Sequence, residues 1–275
     1  MSKQVNLIIT PSVGWRSLNL GEVWVYRELL AILAWRDVSV RYKQSVVGIG
    51  WALLQPVMTM AIFTIIFGKF AKLPSDGIPY PIFTYCALLP WNYFARCLGD
   101  SSDSLVGSSH LVTKVYFPRL VLPFSRVFAG LVDFSVSLVV LIGMMLWYGI
   151  SPTVGMLFLP VFLLIAMVAA LGAGLWLTAL NVKYRDVKFV VPFLLQFLMY
   201  ASPVAYSTSI VPERWQGIYS LNPMVGVIEG FRWALLGKPI VNPTMMFFPI
   251  LIIFVIFIGG LYYFKRMEKT FADIV

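Results

Sequence analysis

The chain reads as an all-α integral membrane protein: six transmembrane helices, an N-terminal amphipathic helix in the interface, and external re-entrant half-helices ahead of the last span. Three observations predict this. Of 275 residues, 60% are hydrophobic and only 12% charged, where an average soluble domain carries about 25% charged residues. Six apolar stretches are long enough for a bilayer core of ~30 Å, which takes ~20 helical residues. Most of the 21 Lys and Arg residues fall in four segments that share one face once six helices are threaded. Helices are the natural solution because lipid offers no partner for backbone N–H and C=O groups. The runs are continuously apolar rather than alternating, which argues against a β-barrel.

A single transmembrane domain, residues 1–275, is divided as follows. Residues 1–50 form a cytoplasmic arm and the interfacial helix, and 51–207 hold helices one to five. Residues 208–243 are the external re-entrant segment, 244–264 the sixth helix and 265–275 a cytoplasmic tail. The first 20 residues lack an apolar core followed by a small-residue cleavage site, so the first membrane helix is expected to stay in the mature protein. Over 22–43, Val23, Tyr26, Leu29, Leu30, Leu33 and Val40 can share an apolar face. Arg27, Glu28, Arg36, Asp37, Arg41 and Lys43 supply a polar one. This helix reads either as an anchor on the headgroups or as a gate or docking element. The spans are expected at 51–70, 80–99, 121–149, 154–180, 188–207 and 244–264.

The connections carry their own signals. The loop from about 100 to 120 is polar, and Pro118 and Pro123 break any continuous helix. Residues 181–188, Asn-Val-Lys-Tyr-Arg-Asp-Val-Lys, are short and charged, which suits either a soluble partner or a topological stop signal. The segment 208–243 is too apolar for an ordinary loop. Pro212, Pro223 and Pro239 cut it into pieces too short to span, so it reads as two half-helices dipping into the outer leaflet. There Glu229 and Arg232 are three apart and can pair, and Gly226 and Gly230 have a close-approach spacing.

Lys3, Arg16, Arg27, Arg36, Arg41 and Lys43 precede the first span. Lys114, Arg119 and Arg126 follow the second, Lys183, Arg185 and Lys188 the fourth, and Lys265, Arg266 and Lys269 the sixth. The positive-inside rule then places both termini in the cytoplasm. The net charge of +9 is mostly this signal, plus attraction to anionic membrane lipids, and needs no nucleic-acid partner.

Catalytic chemistry has little to stand on. There is no G-x-x-x-x-G-K-[ST], G-x-S-x-G or H-E-x-x-H. His110 reads as a surface residue. One His and two scattered Cys build no metal site, and Cys86 and Cys97, on one helix, would sit roughly 16 Å apart, too far for a disulfide. Arg96, Asp100 and Asp103 fall on one side of the second span; Asp133 lies inside the third, with Arg126 seven residues before it. These read as structural ion pairs near helix ends, since a midplane proton relay needs more acids or histidines.

Aromatic stripes are more suggestive. Phe63, Phe67 and Phe70 recur on one face of the first span; Phe189, Phe193, Phe197 and Tyr200 do so on the fifth. Tyr80, Tyr85, Trp91, Tyr93, Tyr206 and Trp215 add aromatic groups nearer the outer side. Lipid contact, packing and the interfacial belt explain such residues. A path lined with flat apolar surfaces is the other reading, because sugar C–H faces slide over aromatics without strong directional bonds.

Three stretches carry a resemblance. One is Arg36-Asp37 with Arg41-Tyr42-Lys43-Gln44-Ser45 and Gly48-Ile49-Gly50-Trp51-Ala52-Leu53-Leu54-Gln55-Pro56. Another is Pro90-Trp91-Asn92-Tyr93-Phe94. The last is Val211-Pro212 with Asn222-Pro223-Met224, Ile228 and Phe231-Arg232. In order they cover nearly the whole chain. The sequence resembles the membrane-spanning subunit of ABC type 2 exporters of cell-surface polysaccharides, most closely the O-antigen (lipopolysaccharide) permeases. Related permeases export teichoic acid, capsule or galactan.

The resemblance implies a homodimer in the bacterial inner membrane with a polymer channel between the copies. It implies two copies of a cytoplasmic ATP-binding cassette subunit, which hold ATP and Mg, so that this chain has no cofactor or catalytic residue of its own. The cargo would be a glycan on undecaprenyl diphosphate. Coupling to the ATPase would fall on the interfacial helix and on the 104–118 and 181–188 loops, with Ser109, His110, Lys114, Lys183, Arg185 and Asp186. Arg36, Arg41, Tyr42 and Lys43 would lie where the lipid diphosphate enters. Phe63, Phe67, Phe70, Tyr85, Trp91, Tyr93, Phe193, Phe197 and Tyr200 would line the channel. Pro212, Trp215, Asn222, Pro223, Glu229 and Arg232 belong to the re-entrant segment near its exit.

Rival classes make different demands. A lipid-linked sugar transferase needs acids placed for metal-diphosphate chemistry, and the external face offers only Asp76, Glu213 and Glu229. A permease for drugs or small lipids would show no glycan dependence, and a solute-coupled carrier would work without an ATPase.

Overall fold

The computed structural model describes residues 20–43, 50–238 and 242–274. The arm with Lys3 and Arg16, and the Gln44-Ser45 and Gly48-Ile49 part of the junction motif, lie outside the described residues. Among the described residues every regular element is a helix. Two N-terminal helices, α1 (Leu20–Val25) and α2 (Arg27–Lys43), come first. Then α3 (Gly50–Phe63) runs into a π-helical turn, Thr64–Phe70, and α4 spans Tyr80–Ser102. A short α5 (Ser109–Lys114) precedes α6 (Val121–Trp147), α7 (Leu159–Lys183) and α8 (Val187–Ala201). Finally α9 (Glu213–Tyr219) and α10 (Pro223–Leu236) lead into α11 (Thr244–Ile274).

Four helical stretches are long and apolar enough to cross a membrane: Gly50–Phe70, Val121–Trp147, Val154–Lys183 and Thr244–Glu268. The expected second and fifth spans differ from these for separate reasons. Helix α4 has the length, with 23 residues, but it is more polar and most of it is enclosed. It forms the centre of the bundle against α6, α7 and α10. Helix α8 is apolar but has only 15 residues, because the chain turns at Ser202 rather than running on to 207.

The core is built on close approach. Ala166, Ala169, Ala170, Gly172 and Gly174 of α7 are buried. A Cβ added at Gly172 would fall 2.8 Å from the Phe257 Cα of α11, and one at Gly174 would fall 2.9 Å from the Ser101 Cβ of α4. Small residues thus set the backbone spacing where lipid supplies little driving force between helices. At the opposite edge, the expected tail beyond 264 is not separate: α11 continues without a break to Ile274. Phe264 and Phe271, two turns apart, are fully buried there in a second apolar cluster with Val23, Leu33, Val112 and Phe117.

Helix α2 departs from the expected division of faces. Most of the expected apolar face does pack inward, Val23 of α1 and Leu33 buried and Tyr26, Leu29 and Leu30 against the same cluster, but so do Asp37 and much of Arg41. Trp24, Ile32, Trp35 and Val40 are 63–71% exposed. Charge pairing with α4 and α6 draws the polar residues to the protein side and leaves apolar ones outward.

Candidate functional site

At the end of the bundle that carries α2, charges from three helices converge. Asp133 of α6 accepts from Arg41 and from the Tyr42 hydroxyl of α2, and forms an ion pair with Arg96 Nη1 of α4 at 2.7 Å. Arg41 also reaches Asp100 of α4 at 2.8 Å. One turn earlier, Asp37 lies between Arg36 (3.0 Å) and Arg126 (2.9 Å) of α6. Burial works against the Arg41 charge, but Asp133 and Asp100 more than offset it and hold the guanidinium above its ordinary range. The Tyr42 hydroxyl is pushed up to about 12, first by burial and then by its bond to the Asp133 carboxylate. Solvent still reaches the cluster: the side chains of Arg41 and Arg96 are 25% and 37% exposed.

Beside this cluster lies a cavity of about 210 Å³ between α3, α4 and α6. Its polar wall is made by Gln55, Asn92, Arg96, Asp133 and Ser137, and its apolar wall includes Tyr93 and Phe134.

The opposite end holds a second, sealed cluster. Arg232 of α10 is fully buried and bonds Glu229 at 3.0 Å, as the spacing of three predicts, and the Val204 (3.2 Å) and Tyr206 (3.3 Å) carbonyls. Its guanidinium lies 3.7 Å from the centroid of the Phe83 ring of α4. Gly237 ends α10 in the left-handed region (φ 65°). The chain then places Lys238 Nζ 3.2 Å from Glu229, 2.9 Å from Asp76 and 3.1 Å from Ser207 Oγ. Burial alone would raise the Asp76 carboxyl. Bonds from Ser207, Lys238 and Ser209 outweigh it and hold the group below its usual range. Asn222 caps α10 through Met224 N (3.0 Å) and binds Ser202 Oγ (2.9 Å), with Pro223 at the first helical position.

The sequence-predicted residues separate accordingly. Of the four placed at the lipid-diphosphate entrance, Arg41 and Tyr42 meet on Asp133, Arg36 pairs with Asp37, and Lys43 is exposed. The aromatic set divides. Phe193, Phe197 and Tyr200 of α8 are 52–72% exposed along one stripe, and Phe70 is exposed while Phe67 is half-buried. Phe63, Tyr85, Trp91 and Tyr93 are instead core residues, at most 6% exposed. Tyr93 donates to the Val127 carbonyl (3.0 Å) and Tyr85 to that of Ser137 (3.3 Å). Phe63, Tyr85 and Trp91 therefore pack the interior of the fold, and Tyr93 does so while also edging the cavity between α3, α4 and α6. The residues assigned to coupling lie at one end: His110, Lys114, Lys183, Arg185 and Asp186 are exposed, and Ser109 is half-buried. Thr178 and Asn181 of α7 bond the Ser101 and Ser102 carbonyls of α4, which brings the two loops side by side. Trp215 and Pro212 are exposed beside the buried α10.

Sequence reasoning missed the real partners of Asp133, and it missed Asp37 and Lys238. Arg126, expected near Asp133, binds Asp37.

Residues 28–236 match the ABC-2 type transporter family. The chain belongs to that family. An O-antigen export system permease protein of Klebsiella pneumoniae, RfbA, is 27% identical over 94% of this chain and 97% of its own length. The protein of that name from Myxococcus xanthus is 32% identical over 77% and 81%. The polysialic acid transport protein KpsM of Escherichia coli is 23% identical over 86% and 93%. With its four long apolar helices, the chain is a multi-pass membrane permease of this family.

Proposed function

We propose that the chain is the permease subunit of an ATP-driven exporter that moves undecaprenyl-diphosphate-linked O-antigen polysaccharide across the bacterial inner membrane. The observation that carries this is its likeness, over nearly its full length, to permeases named for O-antigen export. In this reading the chain crosses the membrane six times, α4 and α8 completing the spans, with both termini in the cytoplasm. Two copies form a homodimer, and the exposed α8 stripe of Phe193, Phe197 and Tyr200 lines the glycan path between them. Two cytoplasmic ATP-binding subunits, which carry ATP and Mg, dock on the loops at His110–Lys114 and Lys183–Asp186. Nucleotide binding there favours one arrangement of the helices over another, and that difference in affinity drives transport. The α9–α10 hairpin sits in the outer leaflet near the exit. The likeness to a polysialic acid transport protein keeps a capsule-like glycan as the second reading.

The test is purification from native membranes in mild detergent. A stoichiometric ATP-binding subunit with vanadate-sensitive turnover, together with loss of surface O-antigen on deletion of the chain, is the expected result. A preparation without an ATPase, from membranes that express the neighbouring genes, would overturn it.

A further inference from the structure

The cavity between α3, α4 and α6 is not explained by ion pairing alone. Its wall combines two side-chain amides, Gln55 and Asn92, with a hydroxyl, a guanidinium and a carboxylate, opposite the rings of Tyr93 and Phe134. Among the described residues the amides of Gln55 and Asn92 bond to no other group of the protein, so their four donors and their acceptors remain for a guest. Arg41 is committed to two carboxylates, whereas Arg96 makes one ion pair and lines the cavity with its side chain 37% exposed. Asp133 already receives two donors, from Arg41 and Tyr42, and pairs with the Arg96 guanidinium. That leaves it about two further acceptor sites and fixes its orientation. Gln55 is exposed and Asn92 half-buried, so both amides are open to water and to a polar ligand that replaces it.

The composition says which kind of ligand. A simple anion pocket would gather donors and exclude a carboxylate. This wall mixes donors and acceptors in similar number, which suits hydroxyl groups that both give and take hydrogen bonds. The flanking rings suit the C–H face of a saturated ring. At about 210 Å³ the space is smaller than a pocket for a drug-sized ligand, ~300 Å³ and upward, so it takes one ring and not an oligosaccharide.

We propose that this cavity binds a single hydroxylated sugar ring of the exported glycan, held by Gln55, Asn92 and Arg96 and oriented by Asp133. The proposal rests on the glycan-export reading and adds to it a monosaccharide subsite beside the α2 charge cluster. Arg41 and Tyr42 then act as positioning residues that hold Asp133.

The experiment uses the full-length protein in a sugar-free zwitterionic detergent. The probes are methyl glycosides of glucose, galactose, mannose and N-acetylglucosamine, with inorganic pyrophosphate in parallel, read by saturation-transfer NMR. At least one glycoside is expected to bind. Gln55→Leu and Asn92→Leu should each weaken it about fivefold or more, with melting curves like the wild type. The exposed Gln55 keeps the test valid if Asn92→Leu folds poorly. Pyrophosphate binding with no glycoside bound, or glycoside binding unchanged in both variants, would overturn the subsite. The two readings fail separately. A protein that exports glycan with its ATPase but shows no glycoside binding refutes the subsite alone. Amide-dependent glycoside binding without an ATPase partner supports the subsite and refutes the exporter.

Discussion

Arg232 near one end of the bundle and Arg41 near the other are surrounded by similar chemistry and treated differently. Arg232 is wholly enclosed, pairs with a carboxylate on its own helix and closes against two backbone carbonyls and a ring face. Arg41 stays partly open and pairs only with other helices, next to a cavity. A sealed cluster pins elements together, because any partner lost leaves a buried charge. An open one can exchange partners at modest cost, because water or a ligand replaces what leaves. The difference assigns holding to the α10 end and exchange to the α2 end.

The sharpest way to break this contrast is at Arg232. Arg232→Ala removes one of the two cations paired with Glu229, Lys238 being the other, and empties the space over Phe83. Truncating one partner of a buried pair costs about 3–5 kcal/mol. A large fall in melting temperature and in membrane protein level is expected. A melt within a degree of the wild type would show that the cluster is not a pin.

Gly230 tests the same end by packing alone. An added Cβ would lie 2.2 Å from the Phe162 ring. That ring is 4% exposed, with the Phe231 and Trp233 rings 6.5 and 6.2 Å away, so it has little room to turn. Gly230→Ala should cost about 1–3 kcal/mol as overpacking. Gly143→Ala, where nothing lies within 4 Å, should be neutral or slightly stabilising. Equal melts for the two variants would remove close packing as the reason for glycine at 230.

At the other end, Asp133→Asn keeps the shape and removes the charge. Solvent already reaches Arg41 and Arg96, so the stability loss should be nearer 1 kcal/mol, while export drops much further. In a double-mutant cycle with Arg41→Gln the effects should be strongly non-additive. Additive effects, or export lost only in step with protein level, would count against an exchanging cluster.

These two ends were not equally legible. Glu229 and Arg232 are three apart on one helix, and Pro212, Asn222 and Pro223 mark local breaks and caps, so α9 and α10 followed from neighbouring residues. The α2 cluster did not, because Tyr42 and Asp133 are separated by 91 positions and Arg41 and Asp133 by 92. Helical periodicity assigns residues to a face and says nothing of which helix will cover it. The same limit explains the aromatic residues. Tyr85, Trp91 and Tyr93 share a plausible lining composition with Phe193 and Phe197, yet α4 is central and α8 peripheral, and only the tertiary arrangement separates them. The four long apolar helices were legible from hydropathy. The shortness of α8 and the unbroken run of α11 were not, since both depend on what packs at Ser202 and Phe271.

The smallest expected effect concerns Asp76, the most accessible member of the sealed cluster. Positive φ at Asp76 (52°) and Gly77 (80°) turns the loop between the π-helical turn and α4, and the Asp76 carboxylate meets Lys238. Its folded-state pKa lies below the ordinary value of 3.8. A depressed carboxyl contributes stability above the unfolded pKa and loses it as pH falls through the folded one. The wild type should therefore melt slightly above Asp76→Asn at neutral pH, and the two curves should converge only below about pH 4. The side chain is 25% exposed, so the gap at neutral pH should be small beside that of Arg232→Ala. Convergence already near pH 6 would mean that Lys238 is held by Glu229 alone, and the loop before α4 would then be free of the pin that closes α10.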